Sequence, residues 1–203
     1  RANMKQEEIA LAPAHARVEA VVKQLSGLGF SGGNEVTLLV NGAATYEAMY
    51  EAIEEAVSYV FVQFYIVKDG NVSRRLKELL IDKAGQGVRV FFLYDEIGCL
   101  KLSPSYLEEF RAASIKVSGF KTTQGRQNRF QINFRNHRKL LVVDGKIGFI
   151  GGYNLADEYL DFRDTHTRIF GPAVQQIQLT FLKDWFWATR EIPEFNSTVV
   201  KSS

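Results

Sequence analysis

Apolar positions along the chain recur in two alternating rhythms. Short runs of branched and aromatic residues predict strands at Val36-Thr-Leu-Leu-Val40, Tyr59 to Val67, Val88-Arg-Val-Phe-Phe-Leu-Tyr94, Ile115 to Val117, Lys139-Leu-Leu-Val-Val143, Ile147-Gly-Phe-Ile150 and His166 to Phe170. The first of these is expected to be buried. Between them, Tyr46, Met49, Tyr50, Ile53 and Val57 fall at helical spacing and predict a helix over Ala44 to Val57. Leu76, Leu79 and Leu80 mark the buried stripe of a second helix, Arg74 to Ala84, which Gly85 and Gly87 stop. Pro104 opens a third helix that runs to Ala113, and a last one is expected over Pro172 to Arg190. Asp144-Gly145 predicts a tight hairpin, because both central residues of the favoured turn need positive φ. Met4 to Leu28 reads as a helical arm broken by Pro13 and running into glycines 27 to 33. The chain thus divides into an arm and linker over 1–33 and an α/β sandwich over 34–203, strands alternating with helices.

Composition changes this picture little. Of 203 residues, 46% are hydrophobic and 24% charged, which excludes a disordered or fibrous chain and suffices for a sizeable core. Cys99 is the only cysteine, so neither an internal disulfide nor a cysteine-based metal cluster can form. The longest apolar stretch, Ala56 to Val67, is interrupted by Gln63 and is too short to span a bilayer. No signal peptide is evident. The chain opens at Arg1, so it is expected to be a piece of something longer.

Charge changes it more. The net charge is only +2, yet from Phe110 to Val143 there is no Asp or Glu. That run carries Arg111, Lys116, Lys121, Arg126, Arg129, Arg135, Arg138 and Lys139, mixed with Asn128, Phe130, Asn133, Phe134 and Asn136. It predicts a site for an anion.

His137 and Lys139 stand at the entry to a strand, two positions apart, and therefore share a face. Asn154 follows Gly151-Gly152, and a hairpin through Asp144-Gly145 returns it beside His137. An imidazole, an ammonium and an amide then meet among cations. Such a group suits a tetrahedral phosphate, with a nucleophile for phosphorus and donors for its oxygens. The three histidines are scattered and the carboxylates lack ligand spacing, so no metal and no cofactor are expected.

The pattern His-x-Lys-x4-Asp-x6-Gly-Gly-x-Asn, met by His137, Lys139, Asp144, Gly151, Gly152 and Asn154, resembles the signature of the phospholipase D superfamily. The segments around it, including 133–139, 144–152, 154–160 and 163–166, are similar to bacterial cardiolipin synthases of that superfamily, as are Gly42 and residues 83–89. The likeness runs from about Gly29 to Arg190. It implies a phospholipase D-like half-domain, a mixed β-sheet sandwiched between helices, with one His-Lys-Asp (HKD) motif where such synthases carry two in tandem. It also implies that membrane-spanning helices belong elsewhere. The chain then resembles the amino-terminal half-domain of a longer enzyme, or a one-motif relative that dimerises.

On this resemblance the activity is phosphatidyl transfer. His137 attacks a phospholipid phosphodiester to leave a phosphohistidine, Lys139 and Asn154 hold the phosphate oxygens, and a second histidine from another half-domain protonates the leaving alcohol. Asp144 is the motif's third letter, read from its odd offset to His137 as mainly structural and as a balance for Lys139 or Lys146. A nucleophilic imidazole needs its other nitrogen held by an acceptor. Asp164 is the first candidate and Glu158 the second, with His166 a strand residue on Asp164's face. The expected partners are phosphatidylglycerol as anionic substrate, the membrane surface, and a second half-domain in cis or in a homodimer; nucleic acid is not expected. The complete enzyme would sit at the bacterial cell membrane through parts outside this soluble chain. A homodimeric nuclease with a basic groove, and a silent half-domain that binds anionic surfaces, remain as alternatives.

Overall fold

Hydrophobic alternation and well-marked caps set the elements. The structure, a computed structural model, describes residues 13–27, 29–120 and 136–194. Seven strands, β1 (Glu35–Leu39), β2 (Tyr59–Phe64), β3 (Arg89–Asp95), β4 (Lys116–Phe120), β5 (Leu140–Val143), β6 (Ile147–Gly151) and β7 (His166–Phe170), form one mixed sheet. Its order is β1-β7-β6-β5-β2-β3-β4. The strands β2, β3 and β4 run parallel, and every other neighbouring pair is antiparallel. The α/β architecture expected from the alternation is the one observed.

Among the described residues five α-helices accompany the sheet: α1 (Pro13–Ser26), α2 (Gly42–Glu54), α3 (Asn71–Gly85), α4 (Pro104–Ala112) and α5 (Val174–Thr189). The Asn41 side chain accepts from Ala44 N at 2.8 Å and starts α2 two residues earlier than the apolar stripe suggests. Ser103 caps α4, with Pro104 in its first turn. The start of α3 is capped from a distance, as Asp157 accepts from Asn71 N at 2.9 Å and Val72 N at 2.8 Å. Of the predicted arm, residues 13–26 form α1 and the preceding residues lie outside the described chain.

Side chains of β2 and β5 divide between two cores. Val60, Val62, Phe64, Leu141 and Val143 pack under α2, α3 and α4. Tyr59, Phe61, Leu140 and Val142 pack with Phe181 and Trp185 of α5 on the other face. Two expectations need correction. Val36 to Val40 was expected to be buried, but β1 is an edge strand with Val36 at 60% and Leu38 at 59% exposure. Both lie on the α5 face, in register with Leu140 and Val142 through β7 and β6. The strand expected over Tyr59 to Val67 leaves the sheet after Phe64, where residues 65–70 bend to the site.

The hairpin turn has φ of 52° at Asp144 and 65° at Gly145, as its sequence requires. The Asp144 carboxylate does more than turn the chain. It accepts from the backbone N–H groups of Val57 (2.9 Å), Ser58 (2.8 Å) and Tyr59 (2.8 Å), at the entry to β2. Hydrogen bonds to a charged acceptor are worth about 1.5–3 kcal/mol each, so Asp144→Ala, which removes three, should lower unfolding stability by at least that amount. Asp144→Asn, which tolerates the positive φ, should recover part of the loss. Urea denaturation of the three proteins checks this, and an unchanged midpoint for the alanine variant would refute it.

Candidate active site

Residues 136–139 are irregular backbone running into the central strand β5, at the end of the sheet where β2 and β3 finish. His137 is exposed, and its imidazole stacks on the Tyr65 ring with centroids 3.9 Å apart and planes 20° from parallel. The Lys139 ammonium donates to the His137 carbonyl at 2.7 Å and lies 5.3 Å from the centre of the same ring. Tyr65 is thus a common platform for the two residues, with a cation–π contribution on the lysine side. It was not singled out in the sequence, where it is one more aromatic in a hydrophobic run.

The platform is held from below. Cys99 Sγ accepts from Val67 N at 3.2 Å and donates to the Tyr65 carbonyl at 3.5 Å. Burial pushes its thiol pKa up to about 12, so the sulfur keeps the proton it donates. A Cβ on Gly98 would overlap the Tyr65 carbonyl, so the loop after β3 needs glycine there.

Asn154 reaches the same place from the other side of the hairpin. Its Oδ1 accepts from Ile66 N at 3.0 Å, and its Nδ2 donates to the Tyr159 hydroxyl at 2.9 Å, leaving one amide hydrogen uncommitted among the described residues. Its own carbonyl accepts from the Tyr46 hydroxyl at 2.5 Å, so α2 fixes its backbone. His137, Lys139 and Asn154 are therefore gathered around residues 65 and 66.

Asp144 is not part of this gathering. It lies at the opposite end of β5, some 16 Å away at about 3.3 Å per residue, bound to the backbone at the entry to β2, with no ion pair to Lys139 or Lys146 among the described residues. Asp164 accepts from Thr165 N at 2.6 Å, and no hydrogen bond joins it to His137 among the described residues. Its charge acts on Lys139 and His166 instead. Glu158 is engaged by Lys68 at 2.6 Å.

The two glycines of the motif have separate uses. Gly151 pairs with His166 across β6 and β7, and its N–H donates to the Lys139 carbonyl. A Cβ there would come within 2.5 Å of His166 Cα and Cγ. A Cβ on Gly152 would overlap the Asp164 carboxylate. The pair leaves room for His166 and Asp164 beside Lys139. Burial lowers the Lys139 pKa, with Asp164 opposing. His166 is fully buried, neither ring nitrogen has a hydrogen-bond partner, and its ring lies over Tyr153. Burial lowers its pKa to about 4, Asp164 opposing and Lys139 adding to the effect.

Of the basic run, Lys121, Arg126, Asn128, Arg129, Phe130, Asn133, Phe134 and Arg135 lie outside the described residues. Among the described residues, Arg111 pairs with Glu108 and Arg138 with Asp184. No cluster of possible metal ligands occurs and no helix is long and apolar enough to cross a membrane, again among the described residues.

Comparison with known proteins follows this geometry. Residues 49–185 match the family described as cardiolipin synthase, PLD-like domain. Cardiolipin synthase A of Pseudomonas fluorescens is 46% identical over 187 residues, covering 89% of this chain and 39% of that protein. Cardiolipin synthase A of Pseudomonas aeruginosa is 49% identical over 167 residues, 79% of this chain and 34% of that protein. The chain thus spans roughly two fifths of the length of the curated relatives it matches. Among solved structures, Nuc of Salmonella typhimurium, a phospholipase D family member, superposes with a TM-score of 0.59 at 13% identity, over 76% of this chain and 96% of that one. NucT of Helicobacter pylori gives 0.56 at 17% identity, over 76% and 98%. At such identities these two establish the fold alone.

The buried His166 generates a pH prediction. Its pKa is 6.5 when free and about 4 when folded, so the unfolded chain takes up the proton first. This contribution to stability is full above about pH 6.5 and is lost as pH falls towards 4. At pH 5 the loss should be about 2 kcal/mol. His166→Phe, which keeps a ring against Tyr153, should flatten that part of the curve. Urea midpoints at pH 7 and pH 5 test it, and equal falls in both proteins would refute it.

Proposed function

Because the chain belongs to the family of cardiolipin synthase, PLD-like domains, we propose that it supplies one half of the active site of a phosphatidyltransferase that makes cardiolipin from two phosphatidylglycerols. The observation that carries this reading is the convergence of His137, Lys139 and Asn154 on the Tyr65 platform. In the first step a His137 ring nitrogen bonds to phosphorus and the bond to the glycerol head-group oxygen breaks. A proton from a second histidine, outside this chain, goes to the departing oxygen. In the second step the head-group hydroxyl of another lipid attacks the phosphohistidine, gives its proton back to that histidine and frees His137. Lys139 and the uncommitted Asn154 hydrogen stabilise the phosphate oxygens, where charge grows as the new bond forms. Phosphodiester replaces phosphodiester, so the exchange needs no nucleotide. Asp164 would turn its carboxylate to the second nitrogen of His137 once substrate is bound.

The second histidine calls for a second half-domain, and the α5 side of the sheet is its proposed seat. Val36 and Leu38 of β1 and Ile150 of β6 are exposed there, and Ile150 also lines an open pocket with His137, Lys139, Ile177 and Thr180. The relatives' additional length gives such a face a partner from the same chain. The basic run would draw anionic lipid to the site, each cation contributing about 1 kcal/mol near the surface. The complete enzyme would work at the bacterial membrane.

The test uses the full-length protein with vesicles containing phosphatidylglycerol. His137→Asn should abolish turnover without unfolding and should no longer trap labelled lipid phosphate. Lys139→Met should retain trace activity, since loss of one oxyanion donor costs about a hundred- to thousandfold. Equal labelling of wild type and His137→Asn, or cleavage of nucleic acid in place of lipid, would overturn the reading.

A further inference from the structure

We propose that Asp184, near the C-terminal end of α5, is a positioning residue for His137 and acts through the two residues that flank it. The inference rests on His137 being the nucleophile. Residues 136–138 precede β5 and carry no strand pairing among the described residues, so side chains set the direction in which His137 points.

Asp184 is well placed to do so. Its Oδ2 accepts from Asn136 Nδ2 at 2.7 Å, Arg138 Nη1 at 2.7 Å and Gln63 Nε2 at 2.8 Å, and its Oδ1 accepts from Arg138 Nη1 at 2.8 Å. Asn136 Oδ1 in turn accepts from Arg138 N at 3.2 Å, closing a side-chain bridge across His137. On the upstream side, Asn136 N donates to Asp95 Oδ2 at 2.9 Å, while Asp95 Oδ1 takes the N–H groups of Ile97 and Gly98. Asn136, Asp95, Asp184 and Gln63 are all buried. His137 alone of residues 136–138 faces outward free of this network, onto Tyr65.

Such a construction is costly as mere glue. A buried carboxylate is often replaceable by apolar packing without loss of stability. What apolar packing does not supply is direction, and charge-assisted bonds with several fixed donors do. The strand-entry peptide is thereby keyed to one helix and to the ends of β2 and β3. A displacement of about 1 Å at a reacting group can cost about a hundredfold in rate.

The experiment measures kcat and KM for phosphatidylglycerol in the full-length protein. Asp184→Asn puts an amide donor and no charge where a carboxylate accepts from Asn136, Arg138 and Gln63, and should lower kcat about a hundredfold, with KM within about twofold. Arg138→Gln leaves the Asn136 arm intact and should lose about tenfold. The exchange Asn136→Asp with Asp184→Asn restores a donor–acceptor pair and should recover part of kcat. A folded Asp184→Asn with unchanged kcat, or one whose loss lies in KM, overturns the proposal. Should Asp184→Asn fail to fold, Arg138→Gln and Asn136→Ala decide by the same split. If His137→Asn keeps wild-type turnover, it is the nucleophile reading that fails, and the failure is separable from this one.

Discussion

The arrangement turns on how β5 is seated beside β2. Strand side chains alternate, so a slip of one residue would exchange the two faces of β5 and carry Lys139 to the wrong one. The Asp144 carboxylate opposes that slip by gripping three N–H groups at the entry to β2, at the end of the hairpin far from the site. With that end fixed, Leu141 and Val143 face α2, α3 and α4, Leu140 and Val142 face α5, and Lys139 takes the side on which Gly151 and His166 lie. The third letter of the motif thus contributes from a distance, through register.

Around the site, much depends on residues that do no chemistry. Tyr65 supplies a flat surface under both His137 and Lys139, and Cys99 and Gly98 keep it level. Tyr153 stacks under His166, while its hydroxyl ties together Phe162 and Asp164 of the loop that follows. The motif's glycines act by what they lack. Their missing side chains are the space in which His166 and Asp164 sit.

The alternation of strands and helices was legible because the sheet is covered by helices and each apolar run is short and well punctuated. The hairpin could be read from two residues, since only a few types accept positive φ twice in succession. The exposure of β1 was not legible. Branched residues mark a strand whether it is central or at an edge, and only the order of strands distinguishes the two. His137, Lys139 and Asn154 stood out by their spacing. Tyr65, Asp95 and Asp184 did not, because each lies in an ordinary hydrophobic or helical context and meets residue 136 or 137 only after folding. The displacement of Asp144 from the site was half-visible in its odd offset from His137.

The place of β1 has a consequence for how the protein is made. Its hydrogen-bonded neighbour is β7, so a strand completed at residue 39 has no partner until residue 166 has been synthesised. Chains grow at about 5–20 residues per second, and an unpaired apolar strand is open to wrong partners for as long as it waits. The parallel pairs β2–β3 and β3–β4 can assemble with their helices during that interval, while β1 must remain outside. Glu35, Thr37 and the Asn41 cap give the waiting segment polar relief. On the ribosome, closure of this sheet is therefore a late event in which the beginning of the domain is completed by its end.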